Sequence, residues 1–348
     1  MKKYIFGTKT VFEFGEPFII ADIGANFNGD LDLAKEMIIK AKEVGVDAVK
    51  FQSWNKHTFS PSLYRNKPAD ITAFGHKSME EFLDFLSISE EQLWEMKEFC
   101  DEQQILFSST PFSFHDVDVL VDMDVPFIKI ASMELNHPAF IKYTAEKGKP
   151  LILSTGMGTT EEIKRAVETI TLTNNDQLIL LHCTALYPPL DEEVNLNNID
   201  YLREVFGYPT GYSDHTIGYS MSLASAVKGA CVIEKHYTLD KTMPGWDHVV
   251  SATPEEFKII VEETKRIVKA LGHKERIVGE RENEKKKSLR RSIVAKRDLS
   301  AGTKVSFEDI DFKRPATGIP PDQINSVIGS ILNSDVKADT LLSYDKFV

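Results

Sequence analysis

Residues 18–54 read FIIADIGANFNGDLDLAKEMIIKAKEVGVDAVKFQSW. A short apolar run ends at Gly24, a stretch with apolar residues at helical spacing follows and stops at Gly45, and a second apolar run begins at residue 48. This order predicts a buried strand, an amphipathic helix and another buried strand. Two buried strands joined by a helix form the repeating unit of a parallel sheet.

The same strand–helix order recurs along the chain as far as residue 272. An open doubly wound sheet is one way to arrange such units, but no GxGxxG motif follows the first strand. Eight units in about 270 residues instead favour an α/β fold of the closed (β/α)8 TIM barrel type. The predicted strands lie in the segments 18–24, 48–54, 105–111, 127–132, 151–156, 178–188, 210–216 and 232–239.

The pattern changes after residue 272. Residues 273–289 are densely charged, and we interpret them as a solvated linker. Residues 290–348 contain short alternating runs separated by Gly and Pro turns, which predict a small, mainly β domain. The predicted organisation is therefore a catalytic barrel over 1–272, a linker over 273–289 and a small domain over 290–348.

Composition narrows the class of protein. The formal net charge of −12 argues against sequence-independent nucleic-acid binding, which needs clustered positive charge. No run of 18 apolar residues and no signal-peptide core is present, so we expect neither a membrane span nor export. Cys100, Cys183 and Cys231 lack CxxC spacing, which predicts reduced thiols in a cytoplasmic protein rather than a zinc site or a disulfide framework.

Polar residues concentrate where the predicted strands end, which is where barrels place their active sites. Lys50 and Lys129, with neighbouring Ser and Thr hydroxyls, suit a phosphorylated and carboxylated ligand. His215 and His236 end adjacent strands, so they either place two imidazoles around one divalent cation or form a hydrogen-bonded histidine cluster. An ion held by two imidazoles would keep open positions for water and substrate, as a Lewis acid requires.

Several longer stretches resemble the sialic acid synthase family, and together they cover nearly the whole chain. The stretches that carry the resemblance are IIADIGANFNGDLDLAKEMI, AVKFQSW, FIKIASMELN, LILSTGMGTTEEI, GYSDHTIGYSMSLASAVKGACVIEKHYTLDKTMPGWDH and RRSIVAKRDLSAGTKV. The resemblance implies condensation of phosphoenolpyruvate with an N-acylated hexosamine to a nonulosonic acid. It also implies that the small domain is of the antifreeze-like (SAF) type.

The resemblance further implies a role for each matching residue. His215 and His236 would bind Mn²⁺ or Mg²⁺, and Arg314 of the tail would reach the sugar's N-acyl group across a domain-swapped homodimer. Phosphoenolpyruvate would be held by Lys50, Thr110, Lys129, Ser132, Ser154 and Ser213. The sugar would be held by Gln52, Glu134, Tyr187 and Asp247. The carboxylates expected to stabilise a cationic intermediate or to handle the proton of water are Asp22, Glu134 and Glu234.

Three residues depart from the family pattern: Asp22 replaces a usual Glu, Phe27 replaces a usual His, and Trp246 stands where a smaller residue is common. We expect all three near the sugar, where Phe27 and Trp246 would favour a more apolar aldose. His248 is expected to hydrogen-bond Asp247. Two other functions stay open: a condensing enzyme of the octulosonate-phosphate type, and a non-catalytic glycan-binding relative.

Overall fold

A computed structural model describes residues 2–55, 58, 60 and 78–348 of the chain. The chain divides into two compact units, Met1–Gly272 and His273–Val348. Within the described residues, no helix is both long enough and apolar enough to cross a bilayer. All three cysteines are free and buried.

Within the described residues, the first unit contains ten strands. Their bounds are β1 Tyr4–Phe6, β2 Lys9–Val11, β3 Phe18–Gly24, β4 Ala48–Gln52, β5 Leu106–Thr110, β6 Ile128–Ile130, β7 Leu151–Ser154, β8 Leu178–Cys183, β9 Thr210–Asp214 and β10 Val232–His236. Strands β3 to β10 form one parallel sheet in the order β5-β4-β3-β10-β9-β8-β7-β6. The sheet is a nearly closed barrel, because Ser108 on β5 donates a hydrogen bond of 2.8 Å to the carbonyl of Phe127 beside β6.

Helices connect these strands. Their bounds are α1 Leu31–Glu43, α2 Met79–Leu86, α3 Glu90–Glu102, α4 Phe114–Asp122, α5 Pro138–Glu146, α6 Thr160–Thr171, α7 Asp191–Val194, α8 Asn198–Phe206, α9 Ser220–Val227 and α10 Pro254–Leu271. The buried apolar residues of α1 (Ala34, Met37, Ile38 and Ala41) pack in one core with the outward-facing side chains of the strands. The predicted (β/α)8 barrel is therefore confirmed, and the open doubly wound sheet is wrong.

The inside of the barrel changes from apolar to polar along each strand. On β3, the alternation of side chains turns Phe18, Ile20 and Asp22 inward. Phe18 and Ile20 belong to an apolar cluster near the amino ends of the strands, whereas Asp22 lies at the carboxyl end. The amino end of the barrel is thus filled with apolar side chains, which we call the floor. The carboxyl end carries polar side chains that are available to bind ligands.

An amino-terminal hairpin completes this floor, and the strand–helix pattern did not predict it. Strands β1 and β2 pair antiparallel, and their residues Tyr4, Phe6 and Val11 are buried in the floor cluster. The ring of Phe6 lies 5.1 Å from that of Phe18 and 5.0 Å from that of Phe127. The hairpin therefore closes the amino end of the barrel with aromatic side chains.

The second unit contains a helix, α11 (Glu280–Leu289), and two antiparallel strands, β11 (Ser292–Ala295) and β12 (Ile310–Lys313). Its core is a separate apolar cluster that includes Ile293, Val305 and Leu342. Helix α11 occupies most of the segment that we interpreted as a solvated linker. It has no buried residues, so no hydrophobic periodicity marks it; acidic residues in its first turn and lysines in its last turn favour it through the helix dipole.

Candidate active site

A cavity of about 580 Å³ opens at the carboxyl ends of the barrel strands. It brings together every site residue that the sequence predicts within the barrel. These residues are Asp22, Lys50, Gln52, Thr110, Lys129, Ser132, Glu134, Ser154, Tyr187, Ser213, His215, Glu234, His236 and Asp247. Arg314 belongs to the second unit, where it is exposed directly after β12. Its predicted reach into a partner's barrel stays a prediction.

Two buried lysines face this cavity, each beside a carboxylate. The Nζ of Lys50 lies 2.8 Å from Oδ1 of Asp22 and donates to the hydroxyl of Thr110 at 3.1 Å. The Nζ of Lys129 lies 3.6 Å from Oε1 of Glu234. Burial lowers the pKa of Lys50, but Asp22 and Glu234 outweigh it and hold that pKa above its usual value. Lys50 is thus a buried ammonium group available to an anionic ligand.

Glu234 pairs with Lys129 and also feels the charge of Lys50. Its Oε1 accepts a hydrogen bond from Ser213 at 3.2 Å, whereas its buried Oε2 has no hydrogen-bond partner in the described part of the chain. Burial raises the pKa of Glu234, but Lys129 and Lys50 together hold it below its usual value. The hydroxyl of Ser154 is also buried without a partner among the described residues. Buried polar atoms are almost always satisfied, so these two atoms indicate a polar ligand.

The two predicted metal-binding histidines come together, with ring centroids 5.5 Å apart. His215 donates through Nδ1 to the carbonyl of Thr184 at 2.8 Å, which leaves Nε2 as the nitrogen with a lone pair. Burial, reinforced by His236, lowers the pKa of His215 to about 4. His215 is therefore neutral near pH 7, which is the protonation state that binds metals.

The surroundings of His236 complete this corner of the site. Its Nδ1 lies 3.5 Å from Asp22 and 3.8 Å from Asp247, and it is buried without a hydrogen-bond partner among the described residues. The structure shows no cluster of three or more His, Cys, Asp or Glu side chains arranged around a metal position in the residues it describes. The two imidazoles fit an ion that also takes water or substrate oxygens as ligands.

The residues predicted to hold the sugar lie around the histidine pair. The ring of Tyr187 stacks on His215 with centroids 4.2 Å apart. The amide of Gln52 donates to Oδ2 of Asp22 at 3.3 Å, and it accepts from the indole of Trp54 at 3.2 Å. The predicted sugar end therefore shares Asp22 with the lysine and histidine groups, which makes it part of the same pocket.

Ser132 and Glu134 lie on a single turn of 3₁₀-helix that follows β6. The hydroxyl of Ser132 accepts from the amide of Gly156 at 3.0 Å and lies 3.1 Å from the thiol of Cys183. Glu134 is partly exposed, and its carboxylate lies 3.0 Å from Nδ1 of His137. Of the three predicted catalytic carboxylates, Glu134 is thus the one nearest to solvent.

An apolar wall faces the polar groups, and strand-end reasoning missed most of it. Trp246 is 46% exposed, stacks on Trp54 at a centroid distance of 6.2 Å, and meets Phe82 edge to face at 5.0 Å. The wall residues that line the cavity are Trp54, Leu86, Phe112, Met133, Met157 and Trp246. The loops and helix α2 supply them, and neither carries a periodic signal of a pocket.

One sequence-based expectation about this wall is wrong. Phe27 does not line the cavity: it is only 1% exposed and packs on Phe51 with ring centroids 5.9 Å apart. Its neighbour Asn26 lines the cavity instead. The fully buried His248 likewise does not bond the carboxylate of Asp247; its Nδ1 lies 2.7 Å from the hydroxyl of Thr238. Phe27 and His248 are therefore structural residues.

A (β/α)8 barrel whose strand ends gather buried lysines, carboxylates and paired histidines around one pocket has the organisation of a barrel enzyme. The chain belongs to the NeuB family, whose model matches residues 37–276, and residues 290–348 match the SAF domain. The resemblance to sialic acid synthases is thus confirmed.

Proteins similar to most of this chain include two synthases and one synthetase of known structure. An N,N'-diacetyllegionaminic acid synthase of Legionella pneumophila is 38% identical over 94% of both chains. The N-acetylneuraminate-9-phosphate synthase of Homo sapiens is 34% identical over 92% of this chain and 90% of that one. The crystal structure of an N-acetylneuraminic acid (sialic acid) synthetase from Leptospira borgpetersenii, in complex with citrate, is 32% identical with a TM-score of 0.72, over 82% of this chain and 95% of that one.

Proposed function

We propose that this chain is a nonulosonic acid synthase, which condenses phosphoenolpyruvate with an N-acylated mannosamine-type aldose and releases phosphate. The observation that carries the proposal is one pocket that holds two buried lysines, two paired histidines and a buried carboxylate. One oxygen of this carboxylate has no partner in the part of the chain that the structure describes. The names of the full-length relatives support the general reaction.

Phosphoenolpyruvate matches the lysine side of the pocket. Its phosphate and carboxylate are both anionic, and Lys50 and Lys129 are buried cations at the carboxyl ends of β4 and β6. Each ammonium group has three N–H donors, so it can bind the ligand and keep its protein partner. The hydroxyls of Thr110, Ser132, Ser154 and Ser213 line the same side and would complete the hydrogen bonds of the anion.

His215 and His236 would hold a divalent ion, Mn²⁺ or Mg²⁺. When bound, the ion would polarise the aldehyde oxygen of the open-chain sugar as a Lewis acid. The protein's own part is to keep His215 neutral and oriented through its bond to Thr184. Tyr187, stacked on His215, would shield that corner from water and border the sugar.

The reaction forms one C–C bond and one C–O bond and breaks one C–O bond. C3 of phosphoenolpyruvate attacks the aldehyde carbon with the electron pair of the C2–C3 double bond, so positive charge develops at C2. The electron pair of the aldehyde C=O double bond moves to its oxygen, which takes up a proton and becomes a hydroxyl. Water adds at C2, and its protons pass to solvent or to a basic group. The C2–O bond then breaks, and phosphate leaves with the bridging oxygen. Positioning of the two substrates in one pocket would supply much of the acceleration.

Glu234 is the carboxylate best placed to stabilise the cationic C2. It is buried, the charges of Lys129 and Lys50 keep it ionised, and its Oε2 has no partner among the described residues. Asp22 already forms an ion pair with Lys50 and accepts a hydrogen bond from Gln52, and Glu134 is paired with His137 near solvent. A fixed negative charge beside a developing positive charge stabilises a transition state without reorganisation.

The apolar wall indicates which aldose the pocket prefers. N-acetylmannosamine carries a 6-hydroxyl, whereas 2,4-diacetamido-2,4,6-trideoxymannose carries a 6-methyl and a second acetamido group. Trp246 and Trp54 present stacked rings to the cavity, and apolar surface favours methyl groups over hydroxyls. We propose the diacetamido sugar as the preferred substrate, with Gln52, Tyr187 and Asp247 as its polar contacts.

A phosphorylated sugar is the competing substrate class. A second phosphate would need further cations, and Lys50 and Lys129 are the sole Lys or Arg side chains that line the cavity within the described residues. We also propose that the protein acts as a domain-swapped homodimer, in which Arg314 contacts the N-acyl group in the partner's barrel. The cytoplasm is the proposed location, because three free, buried thiols suit a reducing compartment.

The test is phosphate release from phosphoenolpyruvate with Mn²⁺ and each of three aldoses: the diacetamido sugar, N-acetylmannosamine and N-acetylmannosamine 6-phosphate. We expect turnover with the diacetamido sugar at a kcat/KM at least about 10-fold above the others, because one methyl group in an apolar pocket discriminates by about 10–200-fold. Preference for the 6-phosphate would refute the apolar-sugar assignment. No release with any aldose would refute the proposed reaction.

A further inference from the structure

A buried ion pair lies behind the two histidines, on the outer face of the barrel. Lys235 on β10 and Asp214 on β9 are direct partners in the parallel register, and Nζ lies 3.1 Å from Oδ2. Both side chains are completely buried. Neither lines the cavity, so neither touches a substrate there.

Asp214 is the centre of a hydrogen-bond network. Its Oδ1 accepts from the amide of Thr216 at 2.9 Å and from the hydroxyl of Thr216 at 2.7 Å. Its Oδ2 accepts from Ser222 of helix α9 at 2.5 Å. Lys235 donates to the carbonyl of Thr216 at 2.6 Å. Thr216 is therefore fixed through its amide, its hydroxyl and its carbonyl.

The network flanks both histidines in the sequence. His215 stands between Asp214 and Thr216, and His236 directly follows Lys235. The backbone on both sides of His215 is thus tied to the strand that presents His236. On the inner face, the hydroxyl of Ser213 on β9 donates a hydrogen bond to Glu234 on β10.

Stability alone does not account for a charged pair at this place. Burying two charges is costly, and apolar side chains of similar volume often replace such a pair without loss of stability. Groups behind a metal ligand, in contrast, fix its orientation and govern metal affinity. We propose that the Lys235–Asp214 pair is a positioning device that sets the place of His215 relative to His236 and thereby the affinity for a divalent ion. The metal part rests on the proposed function.

The test compares Mn²⁺ binding, measured by electron paramagnetic resonance of the free ion, in folded wild-type and variant protein. We expect Asp214→Asn to weaken Mn²⁺ binding by about 10–100-fold, the range for residues that support a metal ligand. Ser222→Ala removes one bond to the same carboxylate and keeps the ion pair, so we expect a smaller loss of a few-fold. Phosphoenolpyruvate affinity without metal should be unchanged in both variants.

The control is Glu13→Gln, which weakens a partly buried ion pair elsewhere on the barrel, where Arg203 Nε lies 2.5 Å from Glu13 Oε1. It should lower Tm and leave Mn²⁺ affinity unchanged. If Ser222→Ala and every folded Asp214 variant lower Tm in the same way but bind Mn²⁺ as tightly as wild type, the pair is only structural and the proposal is overturned.

A second readout separates this proposal from the metal assignment. If the wild-type protein binds no Mn²⁺, the metal role fails, but crystal structures of Ser222→Ala and Asp214→Asn still decide whether the pair positions His215. We expect the imidazole to shift and its 2.8 Å bond to the carbonyl of Thr184 to lengthen or break. An imidazole that keeps its wild-type place in both variants would overturn the positioning role.

Discussion

The Nζ of Lys50 lies 2.8 Å from Oδ1 of Asp22, and both side chains are almost completely buried at the carboxyl end of the barrel. The carboxylate of Asp22 thus stabilises the buried ammonium group of Lys50 when no anionic ligand is bound. Asp22 also accepts from Gln52 and lies 3.5 Å from His236. Asp22 therefore contacts one residue from each proposed binding group: Lys50 for phosphoenolpyruvate, Gln52 for the sugar and His236 for the metal.

Replacement of Lys50 by Met should weaken phosphoenolpyruvate binding. We expect KM for phosphoenolpyruvate to rise by about 100-fold, because loss of one partner of a buried charged hydrogen bond costs about 2–5 kcal/mol. Steady-state phosphate release measures it. The double variant Lys50→Met/Asp22→Asn removes the orphaned charge and should recover Tm without recovering KM.

A matched control for that variant lies at the other end of the barrel. Lys9 pairs with Asp47 at 2.6 Å, directly before β4 begins. Lys9→Met should leave KM for phosphoenolpyruvate within a factor of about 2, since exposed and partly exposed pairs contribute little energy. An equal rise of KM in both lysine variants would contradict the assignment of Lys50 to the ligand.

Glu234→Gln should separate chemistry from binding. The change keeps the shape but removes the negative charge beside C2, so we expect kcat to fall by about 10²–10³-fold, as for loss of one electrostatic contact to a transition state. KM for phosphoenolpyruvate should stay the same or fall, because a carboxylate is removed from the anion's surroundings. An unchanged kcat with a raised KM would show that Glu234 contributes only to the binding of phosphoenolpyruvate.

His215→Ala and His236→Ala should each abolish Mn²⁺ binding, as measured by calorimetry on folded protein, because two imidazoles are the only nitrogen ligands the site offers among the described residues. His182→Gln is the matched control: His182 is buried and lies 2.6 Å from the carbonyl of Val194, away from the proposed ion. It should lower Tm and keep the affinity. Tight Mn²⁺ binding in both alanine variants would exclude this metal site.

Trp246→Ala should reduce the preference for the diacetamido sugar. We expect the ratio of kcat/KM between that sugar and N-acetylmannosamine to fall by about 10-fold, which is the discrimination that one or two buried methyl groups provide. Phe27→Leu is the control, because Phe27 is buried away from the cavity. It should lower the free energy of unfolding by about 1 kcal/mol and leave the ratio unchanged. If Trp246→Ala does not alter this ratio, the apolar wall does not determine the preference between the two sugars.

The trans role of the tail is tested by complementation. Arg314→Ala and Lys50→Met should each be poorly active alone. If Arg314 acts in the partner's barrel, co-expression should produce heterodimers with one intact site and restore about a quarter of wild-type activity. No recovery in heterodimers isolated with two different tags would show that Arg314 acts within its own chain or not at all.

The barrel was predictable because its signals are periodic. Apolar runs of strand length alternate with helical spacing over 18–272, and the site residues predicted within the barrel all line the cavity. The inward side of β10 follows from alternation alone, since Glu234 and His236 lie two residues apart. Such predictions need only the alternation of side chains along a strand and the rule that barrel enzymes place their active sites at the carboxyl ends of the strands.

The remaining features depend on tertiary contacts that a single sequence does not display. Phe27 follows a strand end, yet the turn buries it in the core and turns Asn26 to the cavity. Helix α11 has no buried apolar face, so its sequence lacks the apolar periodicity that predicts a helix. Lys235 was visible in the sequence between Glu234 and His236, but only the register shows that it meets Asp214 behind the site.

The most direct test of the central claim uses phosphoenolpyruvate labelled with oxygen-18 at the bridging position, with Mn²⁺ and 2,4-diacetamido-2,4,6-trideoxymannose. Mass spectrometry follows both products. We predict a nonulosonic acid without the label and phosphate that carries it, because C2–O cleavage sends the bridging oxygen out with phosphorus. Label retained in the sugar acid, or phosphate formed without a new sugar acid, would contradict the account.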